Sequence, residues 1–512
     1  MSKPSSISKL AAGLLILNLT VAAIAQDIAG GSGVLVANAD VEAKLGKGIF
    51  TPVQNKPHVS TAPEKKPVRR TVAASHSRTT SGGGRQTSGG NNNNSGNRNT
   101  GGTRPPMDAA AYNKQGDDFF DGGKFDQAAE SYKQAIKLRA DYAEAYLNLG
   151  ETYFNLGRYD DAIAADNQAI SLNLKTADAY RALGLAQLQK NNLPEAIAAL
   201  KRANKLNGND ADVRNALSLA YYDQGVAAYN ANNYADAVAR YQDAIKIKPD
   251  YAEAYNNLGD TYRQSNKVPE AIEAYKHAVG IKANILEAHS NLSMMYDQLG
   301  RYPEAVESYK QVIRLKPDDA EANNNMGYAL GKSKRWPEAV AAFQRAIQLK
   351  PDYAEAYSNL GWAYNNLKNF QSALQPLKKA IELKPSLPEG HFNIGITYSR
   401  LADTAGATDY KQQALAEFQQ TIKLKPDWPS AQNNLGFAYG NLGKWKEAIA
   451  AHSEAVRLKP DYIGAYYNLG VAYLMSGNKK KATEQYEKLK TLDLNNANLL
   501  YQQIYKKPPP KK

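Results

Sequence analysis

Asn257, Asn291, Asn325, Asn359, Asn393, Asn434 and Asn468 follow one another at intervals of 34 residues, with a single interval of 41. Asn148 stands in the same register upstream. A side-chain amide carries both a donor and an acceptor, so a row of them on one surface can pair with the backbone of an extended peptide whatever its sequence. Three residues after six of these asparagines comes an apolar side chain: Met294, Tyr328, Trp362, Ile396, Phe437 and Val471. Upstream, the corresponding place is acidic at Asp117, Glu151 and Asp260. Amides beside apolar side chains describe a groove for a peptide with apolar residues. Its expected anchors are Tyr328 and Trp362, because large aromatics dominate binding energies. Each row also has a plainer reading. Asparagine is then the commonest residue at one place of a repeated motif, and the apolar row packs neighbouring elements together.

Other chemistry is poorly provided for. Cysteine is absent, which removes disulfides, thiolate metal sites and thiol nucleophiles. The six histidines are scattered, and His289, His391 and His452 fall at places that are aromatic elsewhere in the chain. No His–Ser–Asp/Glu set, phosphate-cradling glycine loop or metal-ligand spacing stands out, so no enzyme, metal or cofactor is expected. The formal charge of +13 suggests nucleic acid until it is divided, for residues 109–496 carry 46 basic and 45 acidic residues. The basicity lies in the flanks, and the body is no polyanion-binding surface by net charge.

The spacing of the asparagines belongs to a pattern that fills residues 109–496. Gly116, Gly150, Gly184, Gly225, Gly259, Gly327, Gly361, Gly395, Gly436 and Gly470 keep the same register, with Ser293 in the remaining place. Counted from Ala109, glycine is position 8 of each unit, and position 20 is alanine in all eleven, from Ala128 to Ala482. Positions 4, 11 and 24 are mostly aromatic, which accounts for the excess of tyrosine (33, against 10 Phe). Positions 4, 8 and 11 share one helical face and 20, 24 and 27 another. Small residues let the two helices approach, and proline at position 32 in six units stops the second. One such hairpin cannot bury its apolar face alone; a stack can.

Tyr/Trp-x2-Leu-Gly-x2-Tyr, then Ala-x3-Phe/Tyr, then Pro, at a period of 34, resembles the tetratricopeptide repeat. The resemblance implies an all-α fold, a right-handed superhelical solenoid of antiparallel helix pairs. The units run 109–142, 143–176, 177–210, 218–251, 252–285, 286–319, 320–353, 354–387, 388–428, 429–462 and 463–496, with a capping helix over 497–505. It also implies that the first helix of each pair lines a concave face, where the asparagines would form a ladder similar to that of O-linked GlcNAc transferases. A carboxylate clamp of the chaperone-adaptor kind would need basic residues there, but position 2 is acidic at Glu144, Asp178, Glu253, Glu287, Glu321, Glu355 and Glu389. Two insertions of seven residues add about two helical turns each. Ala211–Leu217 should lengthen a first helix, and Leu401–Ala407 a helix–helix connection.

Before the repeats, Lys3 and Lys9 precede an apolar run from Leu10 to Ala25 that ends Ala23-Ile24-Ala25. Residues 1–25 therefore read as a signal peptide cleaved before Gln26. A retained anchor is the alternative, although a spanning helix wants about 20 apolar residues. Residues 26–108 form a low-complexity linker, with 25 of the 36 residues from Thr71 to Pro106 being Gly, Ser, Asn or Thr. Residues 506–512 are a basic, proline-rich tail. The whole reads as an exported protein, periplasmic or secreted, that holds other proteins or extended peptides and neither nucleic acid nor, after cleavage, a membrane. A substrate-presenting subunit of an envelope enzyme or secretion complex is the second reading, and a structural envelope protein with polymer-binding basic flanks the third. If the leader is removed as expected, terminal sequencing of the exported protein yields Gln26; recovery of Met1 contradicts it.

Overall fold

The computed structural model describes residues 107–405 and 408–506. The leader, the cleavage residues Ala23, Ala25 and Gln26, the linker up to Pro106 and the tail beyond Lys506 lie outside them. The described residues form 23 helices in two compact units, one ending at Ala283 and the other starting at Asn284. In the first unit, helices Ala109–Asp121, Ala143–Asn155, Ala177–Gln189, Ala211–Asn230 and Ala252–Gln264 alternate with Phe125–Leu138, Tyr159–Ser171, Leu193–Leu206, Tyr234–Ile247 and Val268–Ile281. In the second, Leu286–Gln298, Ala320–Lys332, Ala354–Asn366, Pro388–Ala405, Pro429–Asn441 and Ile463–Met475 each lead into a partner. These partners are Tyr302–Leu315, Trp336–Leu349, Phe370–Leu383, Thr408–Leu424, Trp445–Leu458 and Lys479–Leu492, and Leu494–Tyr505 closes the series. Within each unit every helix packs on the next along the chain. This is an all-α solenoid of helix hairpins.

Each hairpin closes on one contact. The position-8 glycine lies against the position-24 side chain of the partner helix, and a Cβ on Gly225, Gly259 or Gly327 would come 2.7 Å from the ring of Tyr241, Tyr275 or Phe343. Those rings are fully buried, as is the position-20 alanine of every hairpin. Burying such a ring stabilises the fold by roughly 2–3 kcal/mol. The turn inside the hairpin is equally regular. Position 15 has positive φ at Gly123, Gly157, Asn191, Asn232, Asn266, Gly300, Lys334, Lys368, Gly443 and Gly477. Glycine and asparagine tolerate that conformation; Lys334 and Lys368 adopt it at a cost of about 1 kcal/mol each.

The first insertion makes Ala211–Asn230 a 20-residue helix, as its phase requires. The second differs from expectation. Leu401–Ala405 continues the helix that starts at Pro388, and the partner is lengthened to Thr408–Leu424. Leu-Ala-Asp-Thr-Ala contains no helix breaker, so the backbone satisfies its hydrogen bonds by continuing the helix rather than leaving it. The closing helix begins three residues earlier than the sequence suggests. Asp493 caps it, its side chain accepting from the Asn496 N–H at 2.7 Å. Leu500 then covers Gly470, a Cβ on which would lie 2.5 Å away.

Two alanine substitutions on one hairpin separate helix propensity from helix contact. Gly259→Ala should lower stability by about 1–3 kcal/mol, because the Tyr275 ring cannot retreat from a packed core. Gly280→Ala, where nothing lies within 4 Å, should raise it by about 0.5–1 kcal/mol. Urea unfolding followed by circular dichroism reads both.

Candidate functional site

The asparagines expected to form a peptide-binding ladder mostly donate between hairpins. Asn148 Nδ2 donates to Asn113 Oδ1 at 3.1 Å and Asn257 Nδ2 to the Tyr222 hydroxyl at 2.8 Å. In the second unit Asn359 donates to Asn324 Oδ1 (3.0 Å), Asn393 to Ser358 Oγ (3.2 Å) and Asn468 to Asn433 Oδ1 (3.1 Å). In every case the acceptor lies 35 residues earlier, at position 5 of the preceding hairpin. Asn434 breaks the rule for a clear reason: the preceding position 5 is Phe392, which accepts nothing, and Asn434 turns to its own helix at Ser430 O (2.8 Å). Asn148, Asn257, Asn291, Asn359 and Asn393 are buried, while Asn325, Asn434 and Asn468 are half-exposed. Asn325 Oδ1 accepts from Asn324. The acceptors Asn113, Tyr222, Asn324, Ser358 and Asn433 are site residues that sequence reasoning missed. Their types vary, so only their constant offset from the asparagines would have exposed them.

The apolar row divides differently. Met294, Trp362, Ile396, Phe437 and Val471 are half-buried, each leaving part of its surface open. Tyr328 is buried and stacks on Trp362 at 5.8 Å between ring centroids. Trp336 meets the other side of Trp362 edge-on at 4.9 Å. Trp362 is thus the accessible top of an aromatic cluster whose base is Tyr328. The upstream acids do other work. Glu151 lies buried 3.6 Å from Arg181, and Asp260 accepts the Tyr275 hydroxyl at 2.7 Å. A cleft in the second unit joins three of the expected residues, Phe437, Asn468 and Val471, with Trp445, Met475 and Gln503.

Charge on the first helices is locally balanced. Lys282 reaches Glu253 at 2.9 Å, Lys384 reaches Glu355 at 2.6 Å and Lys425 reaches Glu389 at 3.5 Å. Lysines of the same register also lie over the ring that follows the proline turn, as Lys350 over Tyr353 (4.9 Å) and Lys425 over Trp428 (4.8 Å). The acids at position 2 are therefore partly neutralised within their own hairpins.

Histidines occupy aromatic places, as their register suggests. His452 fills position 24 against Gly436, and burial pushes its pKa down to about 3, so the ring is neutral. Its Nδ1 faces Asn433 Oδ1 at 2.9 Å. His391 sits between two oxygens, Glu417 Oε2 at 2.6 Å and Pro385 O at 3.0 Å. Both ring nitrogens must donate there. Burial opposes the charge, but these hydrogen bonds outweigh it and raise the pKa. Among the described residues no group of three or more histidine or acidic side chains is arranged to hold a metal, and no helix is long and apolar enough to cross a membrane.

Stacked helix pairs with a glycine–ring contact inside each and an amide bridge between them define a helical-repeat protein. Family models concur. One described as TPR repeat matches residues 116–157, 295–334 and 441–477. Three described as tetratricopeptide repeat match 222–284, then 141–206 and 318–386, and finally 463–496. The chain is a tetratricopeptide-repeat protein. No curated protein sequence matches it. Among solved structures, Cut9–Hcn1 of the APC/C is similar at 14% identity and a TM-score of 0.41, covering 78% of this chain and 96% of that one. Yeast Tom70 gives 15% identity, a TM-score of 0.36 and coverages of 77% and 96%. MamA gives 31% identity over 34% of this chain and 92% of its own, with a TM-score of 0.29.

Asp297, buried on Leu286–Gln298, provides a pH test. Desolvation raises its pKa from 3.8 to about 7, with Lys332 pulling weakly the other way. The folded state therefore holds a proton that the unfolded chain releases near pH 4. Its stabilising contribution is complete below that pH and is lost as the pH rises through about 7. Stability of the second unit should fall by on the order of 2–4 kcal/mol between about pH 4 and pH 8 from this group. Asp297→Asn should flatten that part of the profile, as read by urea midpoints across pH.

Proposed function

We propose that this protein is an exported, non-enzymatic scaffold that binds extended segments of other proteins along the first helices of its repeats. The observation that carries the reading is the row of Met294, Trp362, Ile396, Phe437 and Val471. These apolar side chains lie at one register on five of the six first helices of one unit, and each is left part-exposed; the sixth helix carries the buried Tyr328. Part-exposed apolar side chains repeated at one register are what a groove for apolar ligand side chains would present. Because the amide donors are largely engaged between hairpins, the apolar side chains supply the affinity here. The half-exposed Asn325, Asn434 and Asn468 are the amides placed to meet a ligand backbone. Export rests on the leader and its Ala23/Ala25 cleavage pattern ahead of Gln26.

Trp362→Ala should weaken a partner caught by crosslinking and mass spectrometry by about 2 kcal/mol, as for an exposed aromatic anchor. Circular dichroism must show unchanged helicity, since Trp362 also covers Gly331. Raising the salt should change affinity at this row little, because apolar contacts are insensitive to screening. A folded variant that holds the partner at full strength removes this row from the binding site.

A further inference from the structure

We propose that the cleft between residues 429–458 and helix Ile463–Met475 accepts one aromatic side chain from an acidic partner segment. This names the partner class for one stretch of the surface proposed above and rests on that reading. The same compact unit contains an occupied counterpart. Tyr328, Gly331 and Trp336 recur 109 residues later as Phe437, Gly440 and Trp445. The two glycine floors are alike, for a Cβ on Gly331 would come 3.0 Å from Trp336, and one on Gly440 would come 3.1 Å from Trp445. Over the first floor the next helix lays Trp362, stacked on Tyr328 and edge-on to Trp336. Its ring would lie 2.7 Å from a Cβ on Gly331.

The residue 109 places after Trp362 is Val471. Valine is far smaller than an indole, and the space between Phe437, Gly440, Trp445 and Val471 remains as the cleft, with the amides of Asn441 and Gln503 also lining it. Aromatic walls favour an aromatic guest over an aliphatic one, because stacked and edge-on ring contacts add to simple burial. Charge selects the guest's neighbours. Lys444 and Lys446 flank Trp445, and Lys479, Lys480 and Lys481 open the helix after Met475; all five are exposed. Against these five lysines the same two stretches, 444–446 and 479–481, hold no acid, Glu447 being the nearest, and that surplus of positive charge close to the lining residues in sequence favours acidic residues beside the aromatic one.

The test uses the full chain and four synthetic peptides in calorimetric titration: Asp-Glu-Trp-Glu-Asp, its Leu- and Ala-centred versions, and Lys-Lys-Trp-Lys-Lys. The acidic tryptophan peptide should bind with one site, at least about tenfold more tightly than the other three. Val471→Trp fills the cleft from within, as Trp362 does its counterpart, and should weaken binding at least about tenfold. The surface variant K444Q/K446Q/K479Q/K480Q, which should not disturb folding, should cost about fivefold for the acidic peptide. Equal binding of the tryptophan and leucine peptides, unchanged binding by a folded Val471→Trp, or no binding of any peptide overturns the proposal. If Val471→Trp spares partner capture while Trp362→Ala abolishes it, the cleft fails and the scaffold reading stands. If neither variant affects capture, both readings fall.

Discussion

Everything in this fold depends on a glycine that leaves room for a ring. At position 8 the first helix has no side chain in ten of eleven hairpins, with Ser293 in the other, and in nine of those ten the position-24 group of the second helix occupies the space that a Cβ would need, Leu500 doing so at Gly470. The alanines at position 20, buried throughout, allow close approach from the other helix. Where the ring is replaced the constraint persists. Leu200 and Leu377 fill it apolarly, His452 stays neutral there, and Asp166 is held buried with its pKa raised chiefly by desolvation. Stability is thus made within hairpins first, and the hairpins are then joined by weaker, more varied contacts.

Those contacts show what is special about each junction. Position 6 is asparagine in eight of the eleven hairpins, but its acceptor is an amide, a phenol or a hydroxyl in different ones. A buried amide without a partner would cost about 1–3 kcal/mol; five junctions supply one from the preceding hairpin, and at the Phe392 junction Asn434 finds it in its own helix. The apolar row is the complement of this arrangement. Its side chains are left partly outside, except for Tyr328, which Trp362 shields.

The helices and their order were legible because a period of 34 with glycine, alanine and proline in fixed places allows few alternatives. The continued helix through Leu401–Ala405 was missed because phase arithmetic says how many turns are added, not on which side of a turn they fall. Among the candidate residues, the shared register of the apolar row could be read from the sequence, but its degree of burial and the direction of the amides could not. Which way Asn257 points depends on Tyr222, a residue far away in sequence whose type carries no amide signal. The lysines at positive φ, Lys334 and Lys368, were equally silent, since nothing in a lysine announces a left-handed turn.

The 35-residue amide bridge also bears on how such a chain can grow or shrink. A duplicated or deleted hairpin joins a new position 5 to an old position 6, and the bridge forms only if that position 5 can accept. Excision of residues 354–387 would set Asn393 after Asn324, an acceptor already used in this role. Excision of residues 429–462 would set Asn468 after Phe392 and deprive it of the bridge, as Asn434 is now. Hairpins that are alike in length and packing are therefore not interchangeable parts: the grammar of one hydrogen bond decides which neighbours are tied across the junction, and Phe392 marks a junction held together without that tie.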